Sequence, residues 1–146
     1  MRTIFKSLIL FIVMISVGYS AASRVLAPIN FDEQKVQDVS GCTSISVGDK
    51  DNETLVLLVE DDEDTWRVFV NINGLHESFG RYDKEKRMWL AHVGSYLIEV
   101  HQLTDMINVD AAEGEEGVLQ AADGEIRVMR HGSDDQRFNV KLSTGC

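Results

Sequence analysis

The sequence predicts an all-β domain: a single antiparallel β-sandwich or small β-barrel of about eight or nine strands. Three observations carry this. From Cys42 onward, apolar and polar residues alternate with period 2 in one short run after another. The runs are separated by Gly, Asn, Asp and Ser clusters of hairpin type. No alternation of strands with helical patterns appears, which argues against a doubly wound fold. A length of 146 residues suits one domain.

The chain divides into residues 1–22, 23–41 and 42–146. In the first part Arg2 and Lys6 precede a run at 8–17 that is apolar apart from Ser16, and Gly18, Ser20, Ala21 and Ala22 follow. This order reads as a secretory signal peptide cleaved after Ala22. The run is too short for the roughly 20 residues of a membrane-spanning helix, so no span is expected after cleavage. The expected address is therefore the bacterial periplasm or the extracellular medium. Residues 23–41 read as a short helix capped near Asn30 or as a loose arm.

Within 42–146 the first strand runs through Thr43, Ile45 and Val47. The next, 54–59, is apolar almost throughout, as in a strand covered on both faces. Trp66, Val68, Val70 and Ile72 then share one face, and Asn73-Gly74 follows as a hairpin signal. A two-residue turn there sets Ile72 opposite Leu75, Val70 opposite Glu77 and Val68 opposite Phe79. Leu75 and Phe79 join the core face in that register, while Ser78 and Tyr82 lie on the other. Glu77 becomes a misfit on the apolar side.

A second hairpin, 88–103, turns at Gly94-Ser95, so that His92 faces Leu97 and Met88 faces His101. The stretch 104–123 is harder to read: 106–109 has strand character, and 118–122 is either a strand or one helical turn. A last hairpin turns at 132–135 and places Ile126, Val128, Phe138, Val140 and Leu142 on alternate positions.

The net charge is −10, and removing the segment that bears Arg2 and Lys6 makes the chain more acidic still. A nucleic-acid binder is not expected, because phosphates are met by basic patches. The charge suits a protein partner, and a basic one in particular. Five acids stand in a row, Glu60, Asp61, Asp62, Glu63 and Asp64, between two strands. They read as a solvated turn or as a docking surface for a basic partner.

Cys42 and Cys146 form an even pair in an exported chain, which favours a disulfide closing nearly the whole domain. No metal set is legible: His76, His92, His101 and His131 lack zinc spacing. Asp49, Asp51, Glu53 and Glu60 mimic a calcium-loop register, but Thr54 stands where that loop needs glycine. No cofactor fingerprint or nucleophile elbow occurs, so no catalytic residue is nominated and catalysis is not the leading expectation.

Ser78-Phe79-Gly80-Arg81-Tyr82, followed by Trp89, resembles a segment of the bacterial C-type lysozyme inhibitors, and the last hairpin resembles the closing strands of the periplasmic G-type inhibitors. The resemblance implies a small exported β-barrel that binds a hydrolase, with a disulfide reaching towards the C-terminus. The serine-to-glycine spacing departs from the family pattern, and no lysine follows Trp89. Ser78, Arg81, Tyr82 and the 60–64 acids are the partner-binding candidates. The alternatives are a ligand carrier or enzyme with a pocket inside the β domain, and an accessory domain completed by a partner strand at an edge within 104–123.

Overall fold

The computed structural model describes residues 24–37, 44–109 and 119–145. The expected signal peptide, Cys42 and Cys146 lie outside the described residues. The strands are β1 (Ser44–Gly48), β2 (Thr54–Glu60), β3 (Thr65–Asn71), β4 (Leu75–Asp83), β5 (Met88–Val93), β6 (Tyr96–Gln102), β7 (Ile107–Val109), β8 (Leu119–Arg130) and β9 (Gln136–Gly145). They form one antiparallel sheet in the order β6-β5-β4-β3-β2-β1-β9-β8-β7. β6 also pairs with β8, from Tyr96↔Arg130 to Gln102↔Gly124. That pairing closes β1 to β6, β8 and β9 into an eight-stranded up-and-down barrel, and β7 is an extra strand on β8 beyond the end of β6. Of the two expected all-β architectures, the barrel is the one formed.

Eight strands enclose a space that side chains can fill. Here Val47, Val56, Leu58, Trp66, Val68, Val70, Trp89, Ala91, Ile98, Val100, Ile126, Val128 and Leu142 fill it as one buried cluster. β2 is covered on both faces, as its sequence predicts. Leu57 and Val59 face outward with Phe69 and are roofed by Ile29 and Val36. Val36 belongs to a single helical turn, α1 (Gln34–Gln37). It starts later than a cap at Asn30 implies, because the Asn30 side chain instead accepts from the Asp32 N–H and shapes a turn.

The arm that leads to α1 crosses the barrel end where the β1–β2, β3–β4, β5–β6 and β8–β9 connections gather. Its backbone is tied to Gln136 through Val25, to Asn71 through Ala27 and to Thr54 through Ile29. Leu26, only 1% exposed, plugs that end of the core. Arg24 pairs with Asp49 at 3.1 Å. Burial alone would raise the Asp49 pKa, but the N–H groups of Glu53 and Asp51 and the Arg24 guanidinium outweigh it and hold the carboxyl below its ordinary 3.8.

The Gly94-Ser95 hairpin has the expected register, with His92↔Leu97 and Met88↔His101. The β3–β4 hairpin does not. Its ladder runs Asn71↔Leu75, Val70↔His76, Phe69↔Glu77, Val68↔Ser78 and Arg67↔Phe79, one residue away from the two-residue-turn expectation. Ile72 leaves the strand and joins a three-residue loop, in which Asn73 and Gly74 take φ of 53° and 121° and the Asn71 side chain accepts from the Gly74 N–H. Slipping by one residue reverses every side chain of β4. Gly80, Ser78 and Tyr82 turn to the core side, while Phe79 points out and is 64% exposed. Glu77 ceases to be a misfit: it faces outward and accepts from Arg67 at 2.7 Å.

Closure depends on Gly124. A Cβ there would lie 2.2 Å from Leu142 and 2.6 Å from the His101 carbonyl. At this point β8 exchanges β7 for β6 as its neighbour, and Leu103 N–H donates to the Asp123 carbonyl as β6 ends.

Two measurements check the description. Phe79→Ala should change the urea-derived stability by no more than about 0.5 kcal/mol, as for an exposed side chain. The alternative register would bury Phe79 and make the same change cost about 3–5 kcal/mol. Asp49 is depressed in the folded state, so its stabilisation is present above the ordinary carboxylate value and is lost as pH falls towards the folded value. The urea midpoint should fall through that acid range, and Asp49→Asn should flatten the fall.

Candidate functional site

The barrel end opposite the arm gathers the β2–β3 and β4–β5 connections and the chain leaving β6. Three aromatic rings anchor it. Trp66 meets Trp89 edge-on with centroids 5.5 Å apart, and Tyr82 lies 4.5 Å from Trp89 and 6.3 Å from Trp66. Strand pairing explains the grouping. Trp66 stands opposite Gly80, and Tyr82 stands opposite Trp89. Gly80 lets β4 lie close against β3 and β5 at this point, since a Cβ there would come within 2.9 Å of both Val68 and the Leu90 carbonyl.

Both indole N–H groups are buried without a hydrogen-bond partner among the described residues. Unpaired buried donors cost about 1–3 kcal/mol each, so the pair is retained for packing at some expense in polarity.

The acidic run lies on the rim beside these rings. Glu60, Asp61, Asp62, Glu63 and Asp64 are all exposed, and no ion pair among the described residues involves any of them. The Tyr82 N–H donates to the Asp64 carbonyl at 3.2 Å, fixing the loop to β4. Asp61 and Asp62 each donate their N–H to the Thr65 carbonyl. The loop backbone is thus held while its carboxylates stay in water.

Of the residues nominated from the sequence, the structure brings Asp64, Arg81 and Tyr82 to one groove of about 840 Å³, which Lys84, Lys86 and Leu90 also line. Arg81 and Tyr82 are adjacent on a strand and so point to opposite faces, Arg81 into solvent and Tyr82 towards the ring cluster. Ser78 is not part of this group. It faces the core side nearer the other end, and its hydroxyl donates to the His92 carbonyl. Sequence reading missed the role of Trp66 and Trp89 as the support under Tyr82. A two-residue-turn register hides it by setting Tyr82 on the face opposite Trp66.

The calcium-like register does not converge. The Asp49 carboxylate is occupied by its own loop and by Arg24, and no group of three or more His, Cys, Asp or Glu gathers among the described residues. His101 pairs with Glu99 at 2.7 Å on the barrel exterior. No helix among the described residues is long and apolar enough to cross a membrane. Comparison with family models, curated proteins and solved structures gives no match for this chain.

Because the Trp89 N–H has no partner among the described residues, Trp89→Phe should cost less than about 1.5 kcal/mol in urea unfolding, against about 3–5 kcal/mol for Trp89→Ala. Equal losses for the two variants would contradict ring packing as the main contribution of Trp89.

Proposed function

We propose that this protein is an exported, non-enzymatic binding module whose acidic barrel rim docks a basic envelope hydrolase, as an inhibitor or immunity protein does. The observation that carries the reading is the 60–64 loop: five exposed carboxylates, none in an ion pair among the described residues, on a backbone anchored through Thr65 and Tyr82. Five like charges on one loop project a local field that speeds encounter with a cationic partner and weakens as salt rises. Tyr82, half-buried against Trp89, and exposed Arg81 supply shape and hydrogen-bonding capacity beside it. The signal-like 1–22 segment supports a periplasmic or secreted address, and the lysozyme-inhibitor resemblance of 78–82 with Trp89 names the class of target.

The pocket-bearing alternative draws less support, because apolar side chains occupy the inward positions as a single cluster. Orienting polar groups, which a ligand site needs, are sparse among them.

The test is the association rate with a panel of lysozymes and other basic hydrolases, measured by stopped flow from about 20 mM to about 500 mM salt. One target should bind, with an on-rate that falls steeply with salt. Changing Glu60, Asp61, Asp62, Glu63 and Asp64 to their amides should lower the low-salt rate by roughly tenfold or more and flatten the salt dependence. An unchanged rate would remove the rim from the interface.

A further inference from the structure

The Asn73-Gly74 loop carries a chemistry that neither the barrel nor the acidic rim uses. An asparagine followed by glycine is prone to attack by its own main chain, because glycine has no side chain to shield its nitrogen. The other asparagines precede Phe31, Glu53, Ile72, Val109 and Val140, whose side chains hinder the same attack. Asn73 and Gly74 are both exposed, and a Cβ built on Gly74 would meet nothing within 4 Å. Solvent therefore reaches the reacting groups freely.

The reaction needs no partner except water. The Gly74 nitrogen loses its proton and attacks Cγ of Asn73. An N–Cγ bond forms, the Cγ–Nδ2 bond breaks, and ammonia leaves with a proton, so that a cyclic succinimide remains. Water then adds to one of the two ring carbonyls. Opening at Cγ gives aspartate on the native main chain. Opening at the α-carbonyl gives isoaspartate, whose main chain runs through Cβ and Cγ.

Asn71 guards that nitrogen. Its Oδ1 accepts from the Gly74 N–H at 3.0 Å, a bond that must be given up before the nitrogen can turn on Asn73. The guard is itself aimed by the arm. Asn71 Nδ2 donates to the Pro28 carbonyl at 2.9 Å, which leaves Oδ1 facing the loop, and the Asn71 carbonyl accepts from the Ala27 N–H. The loop also holds the Ile72 plug, which is 7% exposed. The Ile72 N–H donates to the Gly74 carbonyl at 3.0 Å, across the residue that would be changed. Isoaspartate inserts a main-chain carbon between these two groups and breaks that closure, whereas aspartate does not.

We propose that Asn73 is a site of spontaneous deamidation, that the Asn71 side chain sets its rate, and that the isoaspartyl product loosens the arm end of the barrel. The test incubates the purified protein in mildly alkaline buffer and follows residue 73 by peptide mapping, with mass spectrometry separating aspartate from isoaspartate. Conversion is expected in the folded protein, more slowly than in a free peptide of residues 68–78. Asn71→Ala should speed it by about two- to tenfold, the worth of one hydrogen bond. Asn71→Asp should keep the original rate, because a carboxylate still accepts from Gly74 although it loses the donor to Pro28. The isoaspartyl form, isolated by ion exchange, should unfold at lower urea than the aspartyl form. The proposal is overturned if residue 73 stays an amide while the peptide converts, or if Asn71→Ala converts no faster than the parent. Equal acceleration in Asn71→Asp would move the protection from the Gly74 bond to the arm contact and overturn the guard. Equal urea midpoints for the two products would overturn the loosening of the barrel end.

Discussion

Pairing of β6 with β8 is the constraint on which the rest of the molecule depends. Without it the nine strands are an open sheet with long free edges on β6 and on β8, and Ile98, Val100, Ile126 and Val128 lose the enclosure that buries them. Closure demands close approach of β6, β8 and β9 at one point, and Gly124 supplies it. The arm then closes one end with Leu26, and the aromatic cluster occupies the other. What remains for recognition is the exterior, and the acidic rim in particular.

Acids and cations meet at this rim, in the groove that Asp64, Arg81, Lys84 and Lys86 line. The acids of 60–64 sit on a connection whose backbone is tied to Thr65 and Tyr82, and all five are exposed, Asp62 also accepting from the Glu63 N–H. The cations of the β4–β5 hairpin lie a few residues away. Arg87, in contrast, is spent on Asp105 and the Thr104 carbonyl, fastening the chain as it leaves β6.

Much of the fold was legible where turn chemistry and alternation agree. At Gly94-Ser95 the two-residue turn sets Trp89 and Ala91 against Val100 and Ile98, and the register follows. At Asn73-Gly74 they conflict. The turn dipeptide suggests a two-residue loop, but Ile72 is needed as an end plug of the core rather than as a strand residue. Glu77 on the apolar face was the signal that the register had slipped. Alternation states which face is buried, not whether the sheet closes, so barrel and sandwich were equivalent in sequence. The arm's Leu26 and Ile29 carry no periodicity because they cap an end and roof a strand. Within the candidate site, the acidic run was legible from charge alone. Tyr82 and Arg81 could not share a face, being neighbours on a strand, and the support from Trp66 and Trp89 emerges only once the register is known.

Residue-resolved amide hydrogen exchange tests the account most directly, because it reads the closed seam residue by residue. Closure predicts that the amides of Leu97, Glu99 and His101, and of Glu125, Arg127 and Met129 facing them on β8, exchange as slowly as the β8–β9 pairs. Fast exchange along β6 and the facing side of β8, with protection kept between β8 and β9, would mean an open sheet and would contradict the account.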